Sequence, residues 1–451
     1  MNAFWLKYLP SLVRDRLDGR HHLQQAVGNS GWLLTDKATR LVIGLVIGIW
    51  MARVLGPAQF GQFNYALAYV ALFSSVATLG LDGIVVRNLV HTPDAKNLIL
   101  GSAFILKVIG SLLAISLCVI SIFFVEPESP KMQMLVVIIS AGMLFQALDV
   151  VDFWFQSRVT SMYTVIAKIP ALFVFFCARI LLLLSTASLI AFAWVQSLEL
   201  LLGAIGLVVA YQRLGDRATA WRPLYKYAMT LIKESWPLIL AGLSVMLYMK
   251  IDIVMLGKMS GDRETGLYSA ASRLSEGFYF VPMIIASSLT PMLLRARALG
   301  TAQYKQSLLN LYVLMVRLSL MIAIPFAILA PLFIEVLFGD NYADSAAILR
   351  VHIWAAVAVF LGVASSQYLT AEGQQKMSLY RTLTGLIVNV VLNVLLIPTY
   401  GAMGAAIATL VSYFVATFSM IVTRDGAEQV RMMLIAMNPA VVLGLRAAKW
   451  T

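Results

Sequence analysis

The chain is poor in what soluble proteins rely on. Only 12% of its 451 residues are charged, and it holds two cysteines and four histidines. Cys118 and Cys177 stand singly in different apolar runs, which argues against a structural disulfide and a paired-cysteine metal site. There is no G-x-x-x-x-G-K, so ATP hydrolysis on a P-loop is not expected, and H-E-x-x-H and C-x-x-C are missing as well. His21 and His22 lie in the N-terminal tail, His91 in a loop, and His352 in an apolar run with no second ligand one turn on, so His352 reads as a packed residue. No catalytic residue and no metal site are expected, and the chain reads as no enzyme.

What is abundant is hydrocarbon. Hydrophobic residues make up 60% of the chain, and the mean hydropathy is +0.84. A bilayer core needs about 20 apolar residues per helix. Long unbroken runs of that kind exclude a β-barrel, whose strands alternate. The expected fold class is an all-α polytopic membrane protein of about twelve spans, from Trp32–Arg53 to Ala402–Val422. The outer loops this leaves are no longer than about ten residues.

The net charge of +12 is placed for a membrane and not for nucleic acid. Of 34 Lys and Arg, 21 fall in segments on the side of the N-terminus, Lys376 and Arg381 among them, and 4 in the loops opposite. By the positive-inside rule both termini are cytoplasmic, in a multi-pass protein of the cytoplasmic (inner) membrane. Residues 1–31 mix Phe4, Trp5 and Leu9 with Arg14, Arg16 and Arg20, which reads as an amphipathic interfacial segment and not a signal peptide.

The basic stretch YQRLGDRATAWRPLYKYAMTLIKES divides the spans into two sixes. The expected organisation is a cytoplasmic N-terminal segment (1–31), a six-helix bundle (32–212), a basic connector (213–235), a second six-helix bundle (236–423) and a basic cytoplasmic tail (424–451). LGPAQFGQF and SGDRETGLY join the first two spans of each half, and Gly56 and Gly61 correspond to Gly261 and Gly266 at a constant offset of 205. Two parallel repeats, related by a pseudo-two-fold axis around a central site, are an arrangement of secondary transporters.

Nine basic and seven acidic residues remain inside the spans. Each costs about 2.5–3.5 kcal/mol at a helix centre, so most must face protein or a watery cavity. Lys250 and Asp252 are two residues apart and point to opposite sides of their helix. The next span returns antiparallel with Arg273 and Glu276, at depths that match Asp252 to Arg273 and Lys250 to Glu276. A four-residue polar cluster is expected. Glu335 with Arg350, and Lys107 with Asp149, are expected to pair, while Lys37, Arg40 and Lys168 lie close enough to the interface to snorkel. Arg317 has no acid nearby in sequence, which suggests a place for an anionic ligand. Gly44 and Gly48 form one G-x-x-x-G, a sign of close helix packing.

Taken together, RVLGPAQFGQFNYALAYV, TLGLDGIVVRNL, DFWFQSRVTSMYTVIAKI, YMKIDIVMLGKMSGDRETGLYSAASRLSEGFYFVPMIIASSLTPMLLR and NVLLIPTYGAMGAAIATLVSY resemble the Wzx-type polysaccharide flippases of the multidrug/oligosaccharidyl-lipid/polysaccharide exporter superfamily. The resemblance covers about residues 28–423 and implies two bundles around a central cavity that opens alternately to either side. It implies a cargo of polyprenyl-pyrophosphate-linked oligosaccharide, surrounding membrane lipids, a polysaccharide polymerase and chain-length regulator as partners, and no cofactor beyond a coupling ion, H+ or Na+. Lys250 and Arg273 match polar cavity positions by resemblance. Arg40 and Arg317 join them as cationic candidates on the residue-level reading. Asp252, Glu276 and Glu199 are the ion-coupling candidates. Asn64, Tyr65, Gln146, Tyr248, Gln367 and Asn389 offer partners for glycan hydroxyls. A drug/cation antiporter of the same superfamily would be expected to favour an acidic cavity, against which nine basic residues lean. A membrane-integral polysaccharide polymerase or ligase would carry a large outer loop domain, and a lipid II flippase has fourteen spans in its family.

Overall fold

The computed structural model describes residues 21–185 and 187–448, and among them there is no strand. Most of the segment 1–31 lies outside the described residues. The helices are α1 His21–Leu72, α2 Ser74–Thr78, α3 Asp82–His91, α4 Lys96–Val125, α5 Pro130–Ala141, α6 Val150–Ser157, α7 Met162–Leu184, α8 Leu189–Arg213 and α9 Tyr225–Ser260. There follow α10 Asp262–Glu276, α11 Phe280–Leu299, α12 Thr301–Ile328, α13 Ala330–Phe338, α14 Ser345–His352, α15 Ala355–Ala371, α16 Gln375–Phe418, α17 Arg424–Met437 and α18 Pro439–Val442.

Nine helices among the described residues are long and apolar enough to cross a membrane, or ten if the bent pair Asp262–Thr290 and Met292–Leu299 is one span. The count differs from twelve partly because two of the nine, Thr35–Leu72 and Gln375–Val422, are 38 and 48 residues long. At about 1.5 Å per residue each exceeds the thickness of a bilayer core of about 30 Å. Each contains a glycine off the helical path, Gly56 (φ 72°, ψ 170°) and Gly401 (φ 53°, ψ −131°).

Helix α4 shows how these sequences pack without water. Ile109, Leu112, Leu113, Ile120 and Phe124 are exposed, where hydrocarbon solvates them, while Gly101, Ser102, Ala103, Gly110, Ser111 and Ala114 are buried. These small residues lie on the buried side, beside larger ones such as Leu100 and Leu106, because close backbone approach and interhelical hydrogen bonds replace the hydrophobic effect in lipid. Ser111 Oγ donates to the Met143 carbonyl at 3.0 Å in this way.

The chain divides into two compact units: the described residues up to Ile47 with Tyr69–Leu243, and Gly48–Ala68 with the described residues from Ser244 onward. Residues 48–68, assigned from sequence to the first bundle, thus cluster with the second unit.

In the first unit, Leu81, Val85, Leu100, Val150, Leu207, Tyr211 and Leu231 form a core that draws on α3, α4, α6, α8 and α9. The basic connector is folded onto it. Asp216 pairs with Lys96 and accepts from Trp154 Nε1 at 3.0 Å, while the Arg222 amide donates to the Asn97 carbonyl at 3.0 Å. Asp216→Asn, which keeps the shape but loses the charge, is expected to cost about 1.5–3 kcal/mol, the range for hydrogen bonds to charged groups. A lowered melting temperature in detergent measures it.

In the second unit, α12, α15 and α17 bury Tyr312, Met315, Phe360, Leu361, Met432 and Met433 together. The segment after 424 is therefore a packed helix over Arg424–Met437, with Thr423 accepting the Gly426 amide at 3.1 Å as its N-cap. Gln429, 2% exposed, accepts from the Tyr312 hydroxyl at 2.8 Å.

Also within this unit, Gly56 and its sequence equivalent Gly261 share one backbone conformation, with φ of 72° and 86° and ψ of 170° and −179°. Left-handed φ of this kind suits glycine. A methyl group at Gly61 would lie 1.9 Å from the Asp262 carbonyl oxygen, and one at Gly266 would lie 1.9 Å from that of Pro57. Both residues of the first pair are shifted by 205 in the second, so the same contact is made twice with the roles exchanged.

Candidate functional site

The candidate residues fall into two groups, one in each unit. In the first, α1 carries Asp36 and Arg40 one turn apart, and Arg40 Nε donates to both carboxylate oxygens at 3.1 and 3.0 Å. Arg40 Nη2 is buried and meets no acceptor. Next to it is a cavity of about 230 Å³ lined by Arg40, Gln146, Asp149, Lys168 and Glu199 among others. Lys168 on α7 donates to Asp149 at 2.8 Å. Arg179 Nη2 donates to Glu199 at 2.6 Å and to Gln196 at 2.9 Å. The carboxylates are thus engaged by Lys and Arg, while one buried guanidinium edge of Arg40 has no acceptor. An oxyanion is the natural partner for such an edge.

Several sequence expectations change here. Arg40 and Lys168 are each paired, with Asp36 and Asp149, whereas Lys37 is exposed. Lys107 does not pair with Asp149; it is 1% exposed, with its ammonium 4.8 Å from the centre of the Phe153 ring. Glu335 and Arg350 are both exposed and form no ion pair among the described residues.

The second group centres on Asp252 of α9, which is 3% exposed. Its carboxylate accepts from the Tyr268 hydroxyl at 3.0 Å, from Asn393 Nδ2 at 2.9 Å and from Thr409 Oγ1 at 2.5 Å. Asn393 Nδ2 also reaches Asn389 Oδ1 at 3.0 Å, and His352 links Tyr268, at 3.4 Å, to Ser275, at 2.8 Å. Four helices, α9, α10, α14 and α16, converge on this network. Asp252 is in no ion pair among the described residues, so the expected match to Arg273 is replaced by three neutral donors. Asn393 Oδ1 is buried beside it without a donor. An unpaired buried carboxylate with further oxygens around it has the chemistry of a proton or small-cation site. No group of three or more His, Cys, Asp or Glu residues able to hold a metal occurs among the described residues.

Lys250 does meet Glu276, at 3.4 Å, both partly exposed. The Arg273 guanidinium lies 5.8 Å from the Phe60 ring centre and over Gly48, where a methyl group would come within 2.2 Å of it. Gly48 of the G-x-x-x-G therefore makes room for an arginine, while Gly44 has open space. Arg317 is not an unpartnered cation. Its Nε and Nη2 donate to the Val442 and Val441 carbonyls at 3.0 and 2.8 Å, capping the end of α18.

Sequence reasoning missed Tyr268, Asn393 and Thr409 as partners of Asp252. Asn389 and Asn393, four apart in GLIVNVVLNVLLI, put two amides on one face of an apolar helix and were the available signal.

The comparisons with known proteins agree with a transport role. A family model described as "Polysaccharide biosynthesis protein" matches residues 26–297, more than half the chain, and one described as MatE matches residues 237–395. A probable low-salt glycan biosynthesis flippase, Agl15, of Haloferax volcanii is 23% identical over 82% of this chain and 77% of its own. A probable multidrug resistance protein, NorM, of Burkholderia mallei is 29% identical over 50% of this chain and 51% of its own. Among solved structures, a multidrug resistance MATE family transporter of the MOP superfamily in an inward-facing conformation superposes with a TM-score of 0.71 at 16% identity, over 88% of this chain and 95% of its own. The lipid II flippase MurJ in an inward closed conformation gives 0.69 at 12% identity, over 94% of each chain. The chain belongs to the polysaccharide biosynthesis protein family and is a multi-pass membrane protein with the fold seen in MOP superfamily structures.

Proposed function

We propose that the protein flips polyprenyl-pyrophosphate-linked oligosaccharide repeat units across the cytoplasmic membrane by alternating access, driven by an H+ or Na+ gradient, for a surface polysaccharide such as O-antigen or exopolysaccharide. The observation that carries the reading is the polysaccharide biosynthesis match over residues 26–297, supported by a glycan flippase relative along most of the chain.

A diphosphate does not cross hydrocarbon bare, so its hydration must be replaced by charged donors while the polyprenyl tail stays in the bilayer. Arg40, with its free buried edge, is the first such donor; Lys250 and Arg273 are the others. Arg317, committed to the end of α18, anchors the C-terminal segment instead. Asp252 is the coupling site, with Glu276 and Glu199 as acids that release Lys250 and Arg179 when protonated. A polymerase and a chain-length regulator would take the exported product.

Removing the gene and analysing lipid-linked oligosaccharides tests the proposal. Complete repeat units should accumulate on the inner leaflet and return to normal when the gene is restored; an unchanged glycan profile overturns it. The MatE match and the multidrug-resistance relative favour a second reading, drug/cation export. An unchanged glycan profile with sharply raised sensitivity to cationic drugs would establish that one.

A further inference from the structure

The inner network of the second unit leaves one strong cation unaccounted for. Arg381, near the start of α16, was counted from sequence among residues of the inner side, yet it is 8% exposed. Its Nη1 donates to Ser365 Oγ at 2.7 Å and its Nε to the Ala416 carbonyl at 3.3 Å. No carboxylate forms an ion pair with it among the described residues. A guanidinium has five N–H groups, and burying its charge against neutral acceptors alone is costly.

Arg381 lines a cavity of about 300 Å³ within the same unit. The lining also holds three tyrosines: Tyr248 and Tyr413 have ring centres 4.8 Å apart, and Tyr279 lies 6.5 Å from Tyr413. The Tyr279 hydroxyl is buried with no hydrogen-bond partner. Ser378, Thr382 and Thr417 add hydroxyls to the wall. Gly362 keeps the floor open, since a methyl group there would come within 3.3 Å of both Arg381 Nη2 and Thr417 Oγ1.

We infer that this pocket binds a pyranose ring carrying an oxyanion, as a glycan subsite of the transporter. The guanidinium fork receives the oxyanion, the tyrosine rings cover the C–H face of the sugar, and the hydroxyls meet its ring substituents. A volume of about 300 Å³ is at the lower end for small-ligand sites, which suits one sugar unit and not a whole repeat. Two parts of a cargo carry this chemistry, a sugar phosphate at the reducing end and a uronic acid within the glycan. The inference rests on the flippase reading for the origin of that sugar, but its test does not.

Purified full-length protein in nanodiscs is titrated with N-acetylglucosamine 1-phosphate, methyl glucuronide, methyl glucoside and inorganic phosphate, with binding read by calorimetry and thermal shift. One of the two acidic sugars should bind at least about tenfold more tightly than methyl glucoside, the ratio a charge-assisted hydrogen bond supplies. The phosphate arm winning assigns the reducing end, and the glucuronide arm winning assigns a uronic acid. Arg381→Lys keeps the charge but not the fork and should weaken that sugar about tenfold. Gly362→Ala, which crowds Nη2, should do the same where the lysine variant does not fold. Equal binding of neutral and acidic sugars, binding of inorganic phosphate alone, or no binding at all overturns the site. No binding by a protein whose deletion still accumulates repeat units removes the subsite and leaves the flippase; binding with an unchanged glycan profile does the reverse.

Discussion

Alanine at Gly61 or at Gly266 is expected to lower the melting temperature of the detergent-solubilised protein further than alanine at a helical glycine with open space around it, such as Gly44. The new methyl group would lie 1.9 Å from a backbone carbonyl oxygen, that of Asp262 in one case and Pro57 in the other. A side chain could turn away from such a clash, but a backbone cannot, so the helices must separate. Overpacking costs typically about 1–3 kcal/mol and more where nothing yields, and these two sites belong at or above the upper end. Separation would also strain the contacts beside them: Gln62 donates to Asp262 at 2.7 Å, and Glu264 accepts the Ala402 amide at 2.9 Å at the restart of α16 after Gly401. Because the two contacts are counterparts in the two repeats, the two variants should fall by similar amounts. Gly44 is the internal control. It has nothing within 4 Å, so Gly44→Ala should be neutral or slightly stabilising, up to the roughly 0.5–1 kcal/mol by which alanine exceeds glycine in a helix. Thermal melts followed by size-exclusion fluorescence decide the matter; variants at 61 and 266 that melt with Gly44→Ala would mean the reciprocal packing does not hold the protein together.

The second large effect concerns Asp252. Asp252→Ala strands the donors of Tyr268, Asn393 and Thr409 in a buried site, at about 1–3 kcal/mol for each group left unsatisfied. That variant should be poorly folded and says nothing about coupling. Asp252→Asn is the informative one, since it keeps the shape and one acceptor oxygen while removing the charge. It should reach the membrane at near wild-type level, melt within a few degrees of the wild type, and lose gradient-driven export by tenfold or more. In vesicles containing labelled lipid-linked oligosaccharide, wild-type flux should rise with an imposed H+ or Na+ gradient and the Asp252→Asn flux should not. A variant whose flux still follows the gradient removes Asp252 from coupling and leaves it as a structural hub for α9, α10 and α16.

Much of the molecule could be read before any coordinates. Runs of apolar residues long enough for a bilayer give helices wherever the backbone must satisfy its own hydrogen bonds. The glycines of LGPAQFGQF and SGDRETGLY pointed to a repeat, and the structure gives Gly56 and Gly261 the same left-handed conformation. The depth argument for Lys250 and Glu276 also produced a real contact, at 3.4 Å. It failed for Asp252 and Arg273, for Lys107 and Asp149, and for Glu335 and Arg350, although the reasoning was the same.

The difference lies in what each inference requires. Membrane class, helical content and the positions where the chain must turn follow from local pattern, because hydropathy and glycine geometry act over a few residues. Which acid meets which base does not, since depth along one helix leaves open both its rotation and the identity of its neighbours. A contact within 4 Å depends on both, and it is set by packing among helices far apart in the chain: Asn393 and Thr409 come to Asp252 from 141 and 157 residues away. The same packing takes Arg381 from an apparent interfacial position into a tyrosine-lined pocket, a placement that no spacing rule along α16 contains.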